Sequence, residues 1–549
     1  MATQKVLRNY QATLDTLETR ENNYKDNDIF TEFGTIDVDA LNKNGYEWEI
    51  PYVKIVGGYS IIKDEDTGDM IMAPAAGNET RLPTSKEDYR AINIEMHYPK
   101  YDPVTGKNLY FKDYEDFSFV SEFGDSGLDV TNAFDKTMTK GAWMYAQGTS
   151  SMVYPVKNLR IKTKGSDFKF TVQPDLDKVK LVCFKADYME SSGSHNTGAA
   201  NYIDNIVYKF SGLKTPGQKH FSDKNIVTCI KGHPCVIFWS PTGKENTFQF
   251  VGKYNFNLDK GTPEPFGFME DKNDPKFGHL TNENGELVLD ANGKPQNSIY
   301  CFEFLDNIEK VCNFTHDEES EWIGYDAHTH EEGMTYEIND KTEAERYYDT
   351  WYSKRKNEKG KIVTGWQLGF ESRYPEDKED DHDADVLREL AVWINDTYAL
   401  EQTDGRAAAI KKFKDEYWKY LDEDFTVAYY VITEALLMMD SRVKNMMIAT
   451  WGKEWRYLLN DGTVTSSRPE DESKIKDSHF GFIWYPIFYD MDTMLGLNNI
   501  GNRVFEYYDD DSRKIYNGDT ILWYFVRDAL PEQIANYYRL LESKSVMSK

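Results

Sequence analysis

Apolar and polar positions alternate through the first third of the chain, the period of a strand that buries one face. In "AINIEMHY", residues 91–98, this groups Ile92, Ile94, Met96 and Tyr98, and in "GYEWEI" it groups Tyr46, Trp48 and Ile50. Residues 26–139 therefore read as a β-rich domain. The stretches "DPVTGKN", "NENGE" and "DANGKP" are hairpin turns by their Gly, Asn and Asp content, and the last two fall in a polar segment, residues 271–297, that reads as a surface insertion. Later the period lengthens to that of a helix. "DADVLRELAVWINDTYAL" opens on acidic residues suited to a helix N-terminus, and "AAAIKKFKDEYWKYL" and "FTVAYYVITEALLMM" continue at helical spacing. The last of these predicts a core stripe of Tyr429, Tyr430, Leu436, Leu437 and Met438. Leu7, Tyr10, Leu14 and Leu17 share one face of a further amphipathic helix within residues 1–25. The order, β-rich, then mixed, then mostly helical, predicts an α+β fold. The acidic run "YPEDKEDDHDADV" reads as a second insertion, a loop around residues 376–385.

Charge narrows the partners. Acidic residues outnumber basic ones by 93 to 64, a formal charge of −29, and no run of five Lys or Arg relieves it. Such a surface repels nucleic-acid phosphates, so no direct nucleic-acid binding is expected. The N-terminus lacks the apolar core of a signal peptide, and "VAYYVITEALLMM" is interrupted by Thr433 and Glu434 and too short to span a bilayer. No membrane insertion is expected, and synthesis in a cytoplasm fits. Cys183, Cys229, Cys235, Cys301 and Cys312 are odd in number and scattered, which reads as reduced core thiols. His328 and His330, with His233 and Cys235, match no structural zinc spacing. No G-x-S-x-G elbow is present, and the acidic run at residues 509–511 reads as a solvated turn.

One constellation carries chemistry. Phosphoryl transfer from a nucleotide uses a carboxylate beside the attacking hydroxyl, an Asn and a second carboxylate on a divalent metal, and a Lys on the phosphates. Asp440 and Asn445, in "MMDSRVKNMMIAT", have the Asp-to-Asn spacing of a kinase catalytic loop, with a buried helix predicted before them and a strand, "MMIA", after. In "IFYDMDTMLG" an apolar strand-like run ends on Asp490 and Asp492 before a turn at Gly496, which suits carboxylates aimed at Mg²⁺. Taken singly, such acids are more often helix caps and turn formers.

The order of the blocks adds to this. "QGTSSMVYPVKNLRIK" (147–162), "LVCFKADYMESSGSHNTGAANYIDNIV" (181–207) and "FVGKYNFNLDKG" (250–261) precede "YLDEDFTVAYYVITEALLMMDSRVKNMMIAT" (420–450) and "WYPIFYDMDTMLGLNN" (484–499). In this order the sequence resembles the CotH family of atypical, spore-coat-type protein kinases. The resemblance implies a kinase fold over residues 140–549, with insertions near 271–297 and 376–385. It implies Asp440 as catalytic base, Asn445 as a metal or loop-orienting ligand, and Asp490, with Asp492 in reserve, as metal ligand. Lys162 or Lys185 would face phosphate, spacing leaving both open, while Gly148, Ser150 and Ser151 would present backbone N–H groups to it. A tight strand-to-strand turn explains the same Gly and Ser residues without a ligand. ATP with Mg²⁺ or Mn²⁺ is the implied cofactor. Gln147 departs from the family, which has Arg there.

Two functions follow. The first is structural: divergent CotH-like segments of this Tyr-, Asn- and Lys-rich character resemble those of large tail and virion proteins of crAss-like bacteriophages. This implies a virion component, expected in the tail, with other virion proteins and copies of itself as partners and residues 1–25 in an interface. The alternative is a cytoplasmic, active CotH-type kinase moving the ATP γ-phosphate to protein Ser or Thr. Fold class alone does not choose.

Overall fold

The computed structural model describes residues 51–57, 59–63, 70–74, 82–85, 90–97, 119–120, 141–148, 150–164, 169–173, 176–188, 193–240, 248–304, 354–356, 362–364, 370–375, 384–438, 441–442, 445–497, 521–544 and 546–547. The helix expected within residues 1–25, the strand at 45–50, the turn at 102–108, most of the acidic loop, Cys312, His328, His330, Asp440 and residues 509–511 lie outside them. The chain divides into two compact units, one of residues 1–174, 178–188 and 232–258, the other of 175–177, 189–231 and 259–549.

The strands of the first unit are β1 (Tyr52–Val56), β2 (Tyr59–Lys63), β3 (Met70–Pro74), β4 (Arg90–Ala91), β5 (Asn93–His97), β6 (Phe119–Val120), β7 (Gly141–Gln147), β8 (Asn158–Lys164), β9 (Leu181–Lys185), β10 (Gly232–Ser240) and β11 (Gln249–Leu258). β2 and β3 pair with each other, and the other nine form one sheet in the order β4-β7-β8-β9-β11-β10-β1-β5-β6. That sheet draws strands from both sides of residue 139. Its neighbours are antiparallel except β1 and β10. The alternation expected at 91–98 is present: Ile92, Ile94 and Met96 are buried. β7 and β8 repeat it with Ala142, Met144, Ala146, Leu159 and Ile161, and the Phe184 and Phe170 rings pack on Phe256.

The second unit adds β12 (Tyr300–Phe304), β13 (Lys354–Lys356), β14 (Ile362–Thr364), β15 (Phe370–Tyr374), β16 (Met446–Thr450), β17 (Lys453–Leu459), β18 (Val464–Thr465), β19 (Ile475–Phe482) and β20 (Tyr485–Phe488). Four of these form a sheet in the order β15-β12-β16-β20, three form a small sheet β18-β17-β19, and β13 pairs with β14. Its helices are α1 (His195–Tyr202), α2 (Pro216–His220), α3 (Arg388–Asp404), α4 (Arg406–Glu416), α5 (Glu423–Ala435), α6 (Ile521–Ala529) and α7 (Pro531–Ser543). α1 runs on through a π-helical segment, Ile203–Tyr208, into Lys209–Ser211. The mixed composition is the expected α+β class.

Helix α5 is the centre of this unit. Asp422 caps it by accepting from the Phe425 amide, and every residue from 425 to 433 is buried. Tyr429 stacks on Phe488 and on Trp523, with centroids 4.2 and 4.9 Å away. The expected core stripe is only partly right: Tyr429, Tyr430 and Met438 are buried, but Leu436 and Leu437 are half-buried. The helix stops at Ala435, and Leu437 turns left-handed at φ 50. The insertion at 271–297 does form hairpin turns on the surface. Gly285 and Gly293 take φ 73 and 76, and their amides bond the carbonyls of Asn282 and Asp290 at 2.9 and 3.0 Å. Cys183, Cys229, Cys235 and Cys301 are buried free thiols. Among the described residues no helix is long and apolar enough to cross a membrane.

Candidate functional site

In the first unit, Gly148 ends β7 with φ 127, and a Cβ there would come 1.9 Å from Ser151 Oγ. A 3-10 turn, Ser150–Val153, follows. The turn is braced by its own chain: the Lys157 ammonium donates to the carbonyls of Met152, at 2.6 Å, and Tyr154, and Asn158 Nδ2 donates to Ser151 Oγ at 3.4 Å. Gln147 accepts from the Cys183 thiol at 3.0 Å, so it is a neutral partner within the sheet.

Strand register separates the two candidate lysines. Gln147 pairs with Asn158, and Leu159 with Phe184, which sets Lys185 beside Asn158 at the turn end of β8 and opposite Asn255 of β11. Lys162 lies four residues further along β8, about 13 Å at the rise of a strand, opposite Leu181 and exposed. Lys185 therefore shares its end of the sheet with Gly148, and Lys162 does not. Around Lys185, the Ala186 amide donates to Asn158 Oδ1 at 2.7 Å, and Asn255 Nδ2 donates to the buried Asp187 carboxylate at 2.6 Å. Asp187 is left-handed, φ 43.

In the second unit, β16 and β20 bring together the loop after α5 and the acidic turn. Met446, the first residue of β16, pairs with Phe488, the last of β20, so Asn445 and Asp490 flank the same end of one strand pair. Both are left-handed, at φ 56 and 46, a conformation uncommon for residues other than Gly. The segments are tied directly: the Leu495 amide bonds the Leu436 carbonyl at 2.6 Å and the Gly496 amide that of Leu437 at 3.1 Å. From the α5 side, Tyr429 donates its hydroxyl to the Ser441 carbonyl at 2.5 Å, and the buried Arg442 guanidinium meets Glu434 at 3.2 Å. Asp492 follows in the turn, half-buried like Asp490. The expected strand-then-turn around Asp490 and the loop-then-strand around Asn445 are thus both present.

Three features escaped sequence reasoning. Asn196, in the first turn of α1, accepts the Met491 amide at 2.6 Å, and His195 Nδ1 meets the Asp492 carbonyl at 3.1 Å. In α1 and its continuation the single acid, Asp204, accepts from Thr228 Oγ1 at 2.8 Å and pairs with buried Lys231 at 2.5 Å. At the end of β12, buried Glu303 bridges Lys260, at 2.7 Å, and Arg373, at 2.5 Å. Glu303 pairs with Met447 and Met447 with Ile487, which places this ionic cluster across the sheet from the Asp490 turn. The Lys260 ammonium sits over the Tyr489 ring, 4.7 Å from its centroid. Burial lowers the Lys260 pKa against the pull of Glu303. For Arg373 burial is outweighed by Glu303 and Glu371, which hold its pKa above the ordinary value.

Among the described residues no group of three or more His, Cys, Asp or Glu side chains is placed to enclose a metal ion. No protein-family model matches the chain, and no curated protein matches it significantly.

Proposed function

We propose that this chain is a structural component of a bacteriophage particle, in the tail, built on a CotH-like kinase fold that keeps a cation-binding turn and whose one acid on the described helix after the lysine strand is engaged by Lys231 and Thr228. A nucleotide kinase pairs its phosphate-orienting Lys with an acid on the helix that follows the lysine strand. Here the described helix, with its continuation, has one acid, Asp204, and its carboxylate pairs with Lys231 and accepts from Thr228. This observation carries the reading. The turn braced by Lys157 and the neutral Gln147 support it. So does the contact between the 271–297 segment and the small β18-β17-β19 sheet, where Trp455 Nε1 of β17 donates to the Glu283 carbonyl at 3.1 Å, building surface beyond a catalytic core. Copies of the chain and other virion proteins are the partners on this reading. Deleting residues 271–297 tests it: the shortened protein should fold yet lose incorporation into particles. A deletion that leaves incorporation unchanged counts against that surface as a contact.

An active kinase is the second reading, favoured by Asn445 and Asp490 at one end of the β16 and β20 pair. The donors, two carboxylates and an amide, are all oxygen, and Mg²⁺ takes one or two carboxylates and completes its shell with phosphate and water, so the residues fit Mg²⁺ or Mn²⁺ with ATP. A bound ion would neutralise charge on the transferring phosphoryl group. Phosphate transfer to Ser or Thr by the wild-type chain, abolished in Asp490→Asn, would install this reading in place of the first.

A further inference from the structure

We infer that Asn196 is the positioning residue of the Asp490–Asp492 turn, holding its central amide so that the carboxylates on either side are set for one divalent cation. The inference rests on reading that turn as a cation site. Asn196 is 4% exposed, and its side-chain oxygen lies 2.6 Å from the Met491 nitrogen. Met491 stands between the two acids, so this bond fixes the plane of the peptide that joins Asp490 to it. His195 grips the next carbonyl, that of Asp492, at 3.1 Å, so two successive residues of α1 hold two successive residues of the turn.

The turn needs such a hold. Asp490 is left-handed at φ 46, a conformation Asp reaches more readily than most residues but one that still competes with the right-handed and extended regions unless it is held. The grip is as firm as the helix that supplies it, and α1 with its continuation is anchored along its length. Asp204 is fixed to Lys231 and Thr228, Tyr202 donates to the Val546 carbonyl at 2.6 Å, and Ser211 meets the Tyr537 hydroxyl at 2.8 Å. A buried amide deprived of its acceptor carries a desolvation penalty, so losing the Asn196 oxygen drives the turn to seek water.

The test uses the full chain and Mn²⁺ alone, with affinity read by electron paramagnetic resonance and order by hydrogen exchange at the Met491 amide. Asn196→Ala should weaken Mn²⁺ at least tenfold and speed Met491 exchange at least tenfold. Asn196→Asp, which keeps an oxygen at the same reach, should restore slow exchange. Asn196→Leu, close to Asn in shape, removes the oxygen without opening a cavity and should behave as the alanine variant does. Wild-type affinity and wild-type exchange in Asn196→Leu would overturn the inference. If the wild-type chain itself binds no Mn²⁺, the cation reading fails, and exchange at Met491 still decides whether Asn196 holds the turn.

Discussion

Glu303→Gln removes the negative charge from a buried cluster while keeping its shape. Lys260 and Arg373 keep only 17% and 14% of their side-chain surface in solvent, and Glu303 lies between them. Without it, two cations remain in a site that water scarcely reaches. Breaking a buried pair by removing one partner typically costs about 3–5 kcal/mol. Glu371 still meets Arg373 from a half-exposed position, 47%, which places the expected loss near the lower figure, about 3 kcal/mol. At about 2.1 cal/mol/K of unfolding entropy per residue, a unit of this size shifts by roughly 1–2 °C per kcal/mol, so the melting temperature should fall by about 3–6 °C. The loss should also depend on pH. Burial already lowers the Lys260 pKa, and removing Glu303 lowers it further. Between that value and the unfolded one the unfolded chain holds more protons, so stability rises with pH and the deficit of the variant should shrink from pH 7 to pH 9.5. Urea melts at the two pH values read both effects. Glu371→Gln is the control and should cost under about 1 kcal/mol, as half-exposed pairs do. A Glu303→Gln chain no weaker than the Glu371→Gln chain would refute the argument.

Buried His233, its pKa pushed down to about 4 by desolvation, should stay neutral in the folded chain. Its contribution is complete above the unfolded pKa of about 6.5 and is lost as pH falls toward 4, about 3 kcal/mol in all, so His233→Gln should flatten the acid limb of stability against pH. Gly148→Ala meets both a left-handed φ of 127 and the Ser151 hydroxyl; it should cost about 1–3 kcal/mol by urea melts, and pairing it with Ser151→Ala should recover only part. Trp455→Phe removes the indole N–H that reaches Glu283 and should raise hydrogen exchange in residues 279–289 with little change in melting temperature; unchanged exchange would show that the β17 sheet does not hold the 271–297 segment.

Local pattern carried much of this fold. Alternation located Ile92, Ile94 and Met96 on the buried face, helical spacing located α3, α4 and α5, and turn residues located the 271–297 hairpins, because each depends on neighbours within a few residues. The end of α5 did not follow its pattern. Apolar residues continue past Ala435, yet the Leu436 and Leu437 carbonyls bond the amides of Leu495 and Gly496, a contact that no local period reveals. Which of Lys162 and Lys185 lies at the Gly148 end of the sheet had the same cause, since strand register across β8 and β9 sets it and spacing along the chain does not. Asn196 reaches a partner 295 residues away, and Lys260, Glu303 and Arg373 each look like ordinary surface charges until the sheet assembles them. The places of Asp490 and Asn445 beside β20 and β16 were legible because a strand bounded by a polar turn is a local signal.

The central claim, that this chain serves as a building block of a particle, meets its most direct test in the particles themselves. Cells producing the chain and releasing phage are lysed, the particles are banded on a density gradient, and the chain is counted per particle by quantitative mass spectrometry. Many copies per particle, retained through the gradient, are the expected result. A chain left wholly in the soluble fraction, with phosphotransfer activity that Asp490→Asn abolishes, would contradict the claim and assign the fold to catalysis.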